Sequence, residues 1–192
     1  EALDSLQRLY PDRYKHWIEL IPGRGHHIDY SPTTPWLKQH VRNPYPKHFC
    51  WENFEMDGRY RQGFYNLRVE QRSNADSNTR TRYTLDIENN QISLAIDEVT
   101  YRTTEIDPQW GIELKFAKTY QPAQRGKVTI YLCSELVDLD KPITLTVNGR
   151  TAFKGRVKPD VKHLVNSCAT FFDPQRLYPA AIEVDLETLE QL

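Results

Sequence analysis

The sequence predicts a mainly β fold: an antiparallel β-sandwich with one helix, preceded by a short segment of mixed helix and strand. Apolar residues alternate with polar residues in successive runs after residue 46, which is the pattern of half-buried strands. Clusters of turn-forming residues, SNADSNT and ENNQ among them, separate these runs. Short strands at roughly 10-residue spacing favour a two-layer sandwich over a partly open barrel.

The composition restricts the class of protein. The 192 residues, 39% hydrophobic and 27% charged, suit one globular domain or a domain with a fragment of another, and they disfavour intrinsic disorder. The 25 basic residues are balanced by 26 acidic ones, so no strong positive field favours a nucleic-acid partner. No apolar run reaches the roughly 18 to 20 residues that a membrane span needs. The chain begins at Glu1 and its only methionine is Met56, so we interpret it as a processed or excised piece without a signal peptide.

The first 45 residues follow a mixed pattern of helix and strand. Three leucines recur at helical spacing before a proline, which predicts a short helix over residues 2–10. A compact apolar run at residues 17–21 then predicts a buried strand, and the loop GRGHHIDYS follows it. Thr34 before Pro35 is suited to cap the N-terminus of a second helix that runs to about Val41.

The rest of the chain predicts strands, one hairpin and one helix. Asn148-Gly149 predicts a two-residue hairpin, because both residues accept the positive φ of a type I′ turn. Apolar residues at helical spacing predict a helix over residues 161–168. Two prolines in NPYPK, residues 43–47, predict the boundary between residues 1–45 and residues 46–192. The candidate strands are residues 64–69, 83–87, 92–96, 100–104, 112–117, 128–133, 143–147, 151–157 and 181–184.

The most informative stretch for chemistry runs from Pro22 to His27. A histidine on a glycine-flanked loop directly after a buried strand is the way in which some hydrolases present their general base. Imidazole suits this role, because its pKa of about 6.5 lets it take a proton from a serine and return it to the leaving group. By spacing alone a loop histidine is more often solvated or structural.

The stretch RLYPDRYKHWIELIPGRGHHIDYSPTTPWLKQHVRNPYPK resembles the terminal helix, strand, histidine loop and helix of the α/β-hydrolase superfamily, especially its prolyl-oligopeptidase-like and esterase-like members. The resemblance implies that residues 1–45 end a hydrolase domain and that His26, rather than its neighbour His27, is the general base of the triad. In this family the serine and the acid precede the histidine, and the sequence contains no G-x-S-x-G. The resemblance therefore implies that both partners precede Glu1 and that the chain alone is inactive.

Residues 46–192 are similar to the β domain that follows such hydrolases in secreted bacterial polypeptides. This similarity implies a non-catalytic accessory domain of a serine esterase or peptidase, and a secreted or periplasmic location. The partner that it implies is the hydrolase domain of the same polypeptide.

Two other functions remain open at this point. Trp51 and Trp110, with Tyr101 and Tyr120, could form an aromatic platform, which would make the sandwich a module that binds a glycan or a peptide. The sandwich could instead have a purely structural or assembly role, shown by an apolar surface patch.

Two other residue patterns are explained better by structure than by ligand binding. Arginines alternate with tyrosines in residues 59–61 and 80–83, as in single-strand nucleic-acid binders, but the same alternation describes a solvent-facing strand. His26, His27 and Asp29 are poor candidates for a metal site, since adjacent loop histidines rarely face one ion. No motif indicates a cofactor.

The three cysteines, Cys50, Cys133 and Cys168, are odd in number and far apart. This spacing gives neither a disulfide framework nor a zinc pattern. We expect three buried thiols, because a free cysteine behaves as a small core residue.

Overall fold

The computed structural model describes residues 2–11, 14–23, 25, 29–75 and 79–189. The chain divides into two compact units, Glu1–Arg42 and Asn43–Leu192. The protein is mainly β, with 41% of the described residues in strands and 15% in helices. None of the helices in the described part of the chain has the length and apolarity needed to cross a bilayer.

The first unit contains two short helices, α1 (Ala2–Leu9) and α2 (Thr33–Leu37). Helix α1 lies where the leucine spacing predicts it. Helix α2 begins earlier than expected, because Pro32 already has helical dihedral angles and takes the N-cap position. It also ends earlier than expected, at Leu37. Thr34 therefore lies inside the helix, and the prediction that it caps the helix is wrong.

The strand predicted at residues 17–21 is absent: residues 14–23, all of which the structure describes, belong to no helix or strand. The apolar side chains of this run are exposed, and Leu20 keeps 89% of its surface accessible. A strand needs a neighbour that takes its backbone hydrogen bonds, and no described residue of the first unit is in a strand. Without such a neighbour the apolar run stays irregular.

The second unit contains two sheets. The larger sheet has the strand order β1-β4-β5-β8-β9 with β6 paired to β5, and the smaller sheet has the order β10-β7-β3-β2. The strands are β1 (His48–Asn53), β2 (Gly63–Phe64), β3 (Leu67–Gln71), β4 (Arg80–Glu88), β5 (Gln91–Ile106), β6 (Glu113–Pro122), β7 (Lys127–Leu132), β8 (Ile143–Val147), β9 (Arg150–Gly155) and β10 (Ala180–Asp185).

Both sheets contribute to one hydrophobic core. In β4 every second residue is buried, which is the burial that the period-two sequence pattern predicts. Trp51 of the larger sheet stacks on Phe64 of the smaller sheet, with 5.3 Å between ring centroids. Central strand β7 has partners on both sides and is buried at every residue except Lys127. Fully buried core residues from the two sheets include Leu67, Leu85, Leu94, Ile130, Leu132, Ile143 and Leu145.

Helix α3 (Val161–Phe171) also packs against this unit. The Asp160 carboxylate caps its N-terminus by accepting a hydrogen bond from the Lys162 amide at 2.8 Å. Gly63 allows close contact with the helix, because a Cβ atom there would stand 2.7 Å from the Phe171 ring. The helix prediction is confirmed, and the helix continues three residues beyond Cys168.

The turn predictions have mixed outcomes. The hairpin at Asn148-Gly149 is confirmed, with φ values of +49° and +78°. The predicted strand at residues 64–69 is instead a hairpin, because Tyr65 adopts a φ of +51° and separates β2 from β3. Residues 92–96 and 100–104 belong to the single long strand β5.

One strand pair corrects the expectation of a purely antiparallel fold. Strands β5 and β8 are parallel, with Gln91 opposite Thr144 and Leu94 opposite Val147. The 36 residues from 107 to 142 separate the two strands along the chain, which gives room for the crossover that a parallel pair needs. Sequence alternation cannot reveal this, because both orientations give the same period.

Candidate functional site

The predicted catalytic base lies outside the described residues: neither His26 nor His27 is among them. Asp29, nearby in sequence, accepts a hydrogen bond from the Ser31 amide at 2.9 Å and so stabilises the turn before α2. This contact holds the pKa of the Asp29 carboxyl below its usual range. Its carboxylate therefore has a local structural partner.

A histidine–carboxylate pair occurs elsewhere in the first unit. His16 Nε2 lies 2.9 Å from Asp4 Oδ1, and its Nδ1 lies 2.9 Å from the Tyr14 carbonyl oxygen. The contact with the Tyr14 carbonyl, followed by that with Asp4, raises the pKa of His16. The hydrogen bond with His16 lowers the pKa of Asp4 to about 2. The pair joins α1 to the segment that follows it.

Trp51 does not lie on an exposed face, and its proposed place in a binding platform is wrong. Only 8% of its surface is accessible, and its ring is stacked between Phe64 and Tyr83 at 5.3 Å from each. The residue belongs to the inward-facing set of β1, which alternates with exposed residues. An enclosed indole offers no face to a ligand.

Trp110 lies in the turn between β5 and β6 and is 70% exposed. Its amide donates to the Asp107 carboxylate at 2.8 Å, and the Gly111 amide donates to the Asp107 carbonyl at 2.9 Å. These bonds fix the turn backbone. Trp110 therefore stands at the tip of a two-stranded ribbon.

This β5–β6 ribbon extends beyond the larger sheet. Strand β4 pairs with β5 only as far as Val99, whereas β6 pairs with β5 up to Ile106. Leu114, Phe116 and Tyr120 of β6 are exposed, as is Ile112 just before the strand, and Lys118 lies between Phe116 and Tyr120. The ribbon presents an apolar stripe that ends in Trp110.

The outward side chains of β1, β4, β5 and β6 form a charged face, consisting of Glu52, Arg80, Arg82, Asp97, Tyr101, Lys118 and Tyr120. Glu52 is at its centre. Its carboxylate accepts a hydrogen bond from the Tyr101 hydroxyl, and it forms ion pairs with Lys118 at 3.2 Å and Arg80 at 3.4 Å. Arg82 forms an ion pair with Asp97 at 2.8 Å.

The aromatic rings of the charged face are covered by cations. The Arg82 guanidinium carbon lies 3.8 Å from the centroid of the Tyr120 ring, and that of Arg80 lies 4.3 Å from Tyr101. Each of these arginines therefore forms both an ion pair with a carboxylate and a cation–π contact with a tyrosine ring. Across the charged face three cations share two carboxylates, so each cation has a carboxylate partner. The buried Val99 lies between Arg80 of β4 and Tyr120 of β6 in the strand register. A sugar would have to compete with a cation for each tyrosine ring.

Opposing effects act on the pKa of Glu52. Partial burial raises it, but the hydrogen bonds from Tyr101 and Lys118, with the nearby positive charges, outweigh burial and leave the pKa lowered. The carboxylate is thus ionised at neutral pH. A group held in this state accepts hydrogen bonds and does not donate a proton.

The cysteines differ from one another, which corrects the expectation of three buried thiols. All three are free, but only Cys133 is buried, whereas Cys50 and Cys168 are exposed. Burial, followed by the hydrogen bond with Glu135, raises the pKa of the Cys133 thiol to about 12. Cys133 is therefore an unreactive core residue. Among the described residues, no group of three or more His, Cys, Asp or Glu side chains is arranged to hold a metal ion.

The sequence singled out several of these residues but did not group them. Tyr101, Tyr120, Arg80 and Arg82 share the charged face, whereas Glu52 and Lys118 were missed. The available signal was positional: β1, β4 and β6 each place charged or tyrosine side chains at alternate positions. Their grouping depends on strand order, which places β1 beside β4 and β6 beside β5.

No family model matches this chain, and neither a curated protein nor a solved structure matches it.

Proposed function

We propose that this chain is the C-terminal part of a multidomain serine hydrolase, an esterase or a peptidase. Residues 1–45 complete the hydrolase domain, and residues 46–192 form a non-catalytic β-sandwich accessory domain. The resemblance of RLYPDRYKHWIELIPGRGHHIDYSPTTPWLKQHVRNPYPK to the end of an α/β-hydrolase is the starting point. By the same resemblance the parent protein is secreted or periplasmic.

The observation that carries the proposal is the absence of burial in the first unit. Among the described residues of 3–42, none is buried. Leu20 and Val41 keep 89% and 95% of their surfaces accessible, and Trp17, Ile18 and Ile21 are also exposed. Burying a Leu, Ile or Val side chain is worth about 1.5–3 kcal/mol. A segment with this much exposed apolar surface is best explained as part of a larger core.

In the proposed parent, residues 17–21 are the last strand of the hydrolase sheet and the loop after it carries His26. His26 takes the proton of the serine hydroxyl as the serine attacks the substrate carbonyl, and returns it to the leaving group. An acidic residue holds the imidazole in the tautomer that this requires. Both the serine and the acidic residue belong to the part of the polypeptide before Glu1.

The test uses the polypeptide that the gene encodes, together with its His26→Ala and His27→Ala variants. We expect His26→Ala to lower kcat by several orders of magnitude, because the serine loses its proton acceptor, and His27→Ala to do much less. The 192-residue chain alone should give no hydrolysis of ester or aminoacyl substrates. Equal kcat of His26→Ala and the unmodified enzyme would refute the assignment, and a loss only in His27→Ala would move the role by one residue.

A second candidate is a module that binds a peptide or a glycan, and the β5–β6 ribbon favours it. Trp110 at the tip and Phe116 on the stripe are exposed aromatic residues on a backbone fixed by hydrogen bonds. If the ribbon binds a ligand, Trp110→Ala abolishes the binding while Val165→Ala, a change at an exposed apolar residue of α3, leaves it intact. Unchanged binding in Trp110→Ala excludes the ribbon as the site.

A further inference from the structure

A polar groove lies in the second unit, away from the charged face. It encloses about 530 Å³ and is lined by Asn53, Arg59, Tyr60, Arg61, Gln62, Val69, Glu70 and Arg72. Five of these residues come from the end of β1 and the loop that follows it, and the others come from β3 or lie just beyond it. The groove contains the arginine–tyrosine alternation of residues 59–61.

The loop that carries these cations is held by the fold. Met56 and Arg59 exchange two backbone hydrogen bonds of 2.8 and 2.9 Å around Asp57-Gly58, and these two residues have φ values of +53° and +72°. The side chain of Asn53, only 4% exposed, donates to the Arg61 carbonyl at 3.0 Å. The backbone of both arginines is therefore positioned before any ligand arrives.

Arg59 and Arg61 differ from the arginines of the charged face. Both are exposed, and neither forms an ion pair with a carboxylate among the described residues. The acid of the groove, Glu70, is already occupied: it lies 3.2 Å from Arg68 Nε and accepts a hydrogen bond from Thr129 Oγ1 at 2.9 Å. Arg59 and Arg61 thus give the groove positive charge with no carboxylate partner among the described residues, whereas each cation of the charged face has such a partner.

Arg72 also lines the groove. Its guanidinium carbon lies 3.4 Å from the centroid of the Tyr60 ring, and its Nη2 donates to the Thr79 carbonyl at 3.1 Å. This stacking holds the Arg72 guanidinium against Tyr60 in the lining of the groove. Arginine forks at fixed positions bind carboxylate and sulfate groups with two parallel hydrogen bonds.

The lining decides which class of anion fits. Every lining residue except Val69 has a polar side chain, so the groove lacks the apolar pockets by which peptide side chains are usually held. The chain has a net charge of −1 and lacks the broad positive field that a nucleic acid requires. Glycans carry many hydroxyl groups, which amides such as that of Gln62 can bind. We propose that the groove binds an anionic glycan, with Arg59 and Arg61 holding its carboxylate or sulfate groups.

This proposal is independent of the hydrolase parentage, and it is tested by calorimetry on the 192-residue chain. The probes are an oligogalacturonate, a sulfated galactan oligosaccharide, a neutral cello-oligosaccharide, an oligoglutamate and a single-stranded oligonucleotide, all of similar length. We expect one of the two acidic glycans to bind at least about tenfold more tightly than the other probes, since an arginine–anion pair is worth more than a neutral hydrogen bond. The tighter of the two identifies carboxylate or sulfate as the anion.

The variants are Arg59→Ala/Arg61→Ala and a control, Arg156→Ala/Lys158→Ala, which removes two exposed cations elsewhere in the same unit. Both double variants change the net charge equally. We expect the first to weaken binding of the acidic glycan at least about tenfold and the control to leave it within about twofold. Arg59→Gln/Arg61→Gln replaces the first variant if thermal unfolding shows that it has lost its fold.

Three results overturn the proposal. The first is no binding of either acidic glycan. The second is equal weakening by the control variant, which would reflect net charge and not the groove. The third is binding of the neutral glycan, the oligoglutamate or the oligonucleotide that equals or exceeds binding of the acidic glycans.

Discussion

The two units of the chain differ in how far they bury their apolar side chains. In Asn43–Leu192 both sheets bury theirs in one core, and residues such as Leu85 and Ile130 have no accessible surface. Among the described residues of 3–42, apolar side chains of equal size remain exposed. Both units have enough apolar residues to favour burial, but only the second brings them together. Apolar content alone therefore does not make an independent fold.

The same contrast appears between two short apolar runs. VTIYL in β7 pairs with β10 on one side and with β3 on the other, and all five of its residues are buried. WIELI at residues 17–21 has a similar composition, yet it forms no strand and is mostly exposed. The difference is the presence of neighbouring strands that take the backbone hydrogen bonds and cover both faces.

The largest expected effect compares two identical substitutions, one in each unit. Leu85→Ala leaves a cavity in the core and should lower the free energy of unfolding by about 2–5 kcal/mol. Leu20→Ala removes a side chain that is exposed and should change it by less than about 0.5 kcal/mol. Urea denaturation of the 192-residue chain measures both. A loss above about 2 kcal/mol for Leu20→Ala would show that the first unit has its own core.

A second comparison separates backbone conformation from hydrogen bonding. Asn148 and Asn89 have nearly the same positive φ, but only Asn148 bonds the neighbouring strand: its Oδ1 accepts from the Ile96 amide at 2.8 Å. Its Nδ2 donates to the Ile96 and Ala123 carbonyls at 3.1 Å. Asn148→Ala should therefore cost about 1–3 kcal/mol more than Asn89→Ala in urea denaturation. Equal losses would mean that the side-chain bonds contribute nothing.

The charged face predicts how stability depends on pH. The folded pKa of Glu52 lies below its unfolded value of about 4.3, so its contribution is present above that value and is lost as the pH falls through the folded pKa. Glu52→Gln removes this part of the acid sensitivity, whereas Glu88→Gln, at an exposed residue of β4, retains it. Thermal unfolding between pH 2 and pH 7 measures the difference. The same acid dependence in Glu52→Gln and the unmodified chain would contradict the prediction.

The smallest expected effect lies in the first unit. The Tyr14 carbonyl and the Asp4 carboxylate both stabilise protonated His16, so its pKa is above the usual value of about 6.5. Asp4→Asn should lower this pKa in an NMR titration without restoring the usual value, because the Tyr14 carbonyl remains. Asp29→Asn, which changes the other aspartate among the described residues of the first unit, should leave the pKa of His16 unchanged. A pKa that Asp4→Asn does not alter would show that the two side chains do not interact in solution.

Much of the second unit could be predicted, because its signals are local. Alternation predicted β4, β7 and β8, and Asn148-Gly149 predicted the hairpin after β8, since residue type there limits the backbone directly. The parallel pairing of β5 with β8 depends on contacts between distant residues, and no local pattern specifies it. The strand expected at residues 17–21 was wrong for a related reason: apolar content predicts burial only where a partner exists.

The candidate sites show the same limit. Trp51 and Trp110 are equally suitable for a platform by residue type, yet the pleat of β1 buries one and a turn exposes the other. Arg59 and Arg80 occur in similar arginine–tyrosine alternations. Among the described residues only Arg80 of the two forms an ion pair with a carboxylate, because β1 lies beside β4 and supplies Glu52. Residue type predicted which side chains are able to bind a ligand. Strand order determines which of the arginines form ion pairs with carboxylates.

Amide hydrogen exchange at residues 14–23 tests the central claim most directly. It is measured in the 192-residue chain and in the polypeptide that the gene encodes, under the same conditions. If this segment belongs to a hydrolase sheet, the amides of residues 17–21 exchange rapidly in the 192-residue chain and at least about a hundredfold more slowly in the longer polypeptide. Equally rapid exchange in both proteins would contradict the claim that the first unit completes a larger core.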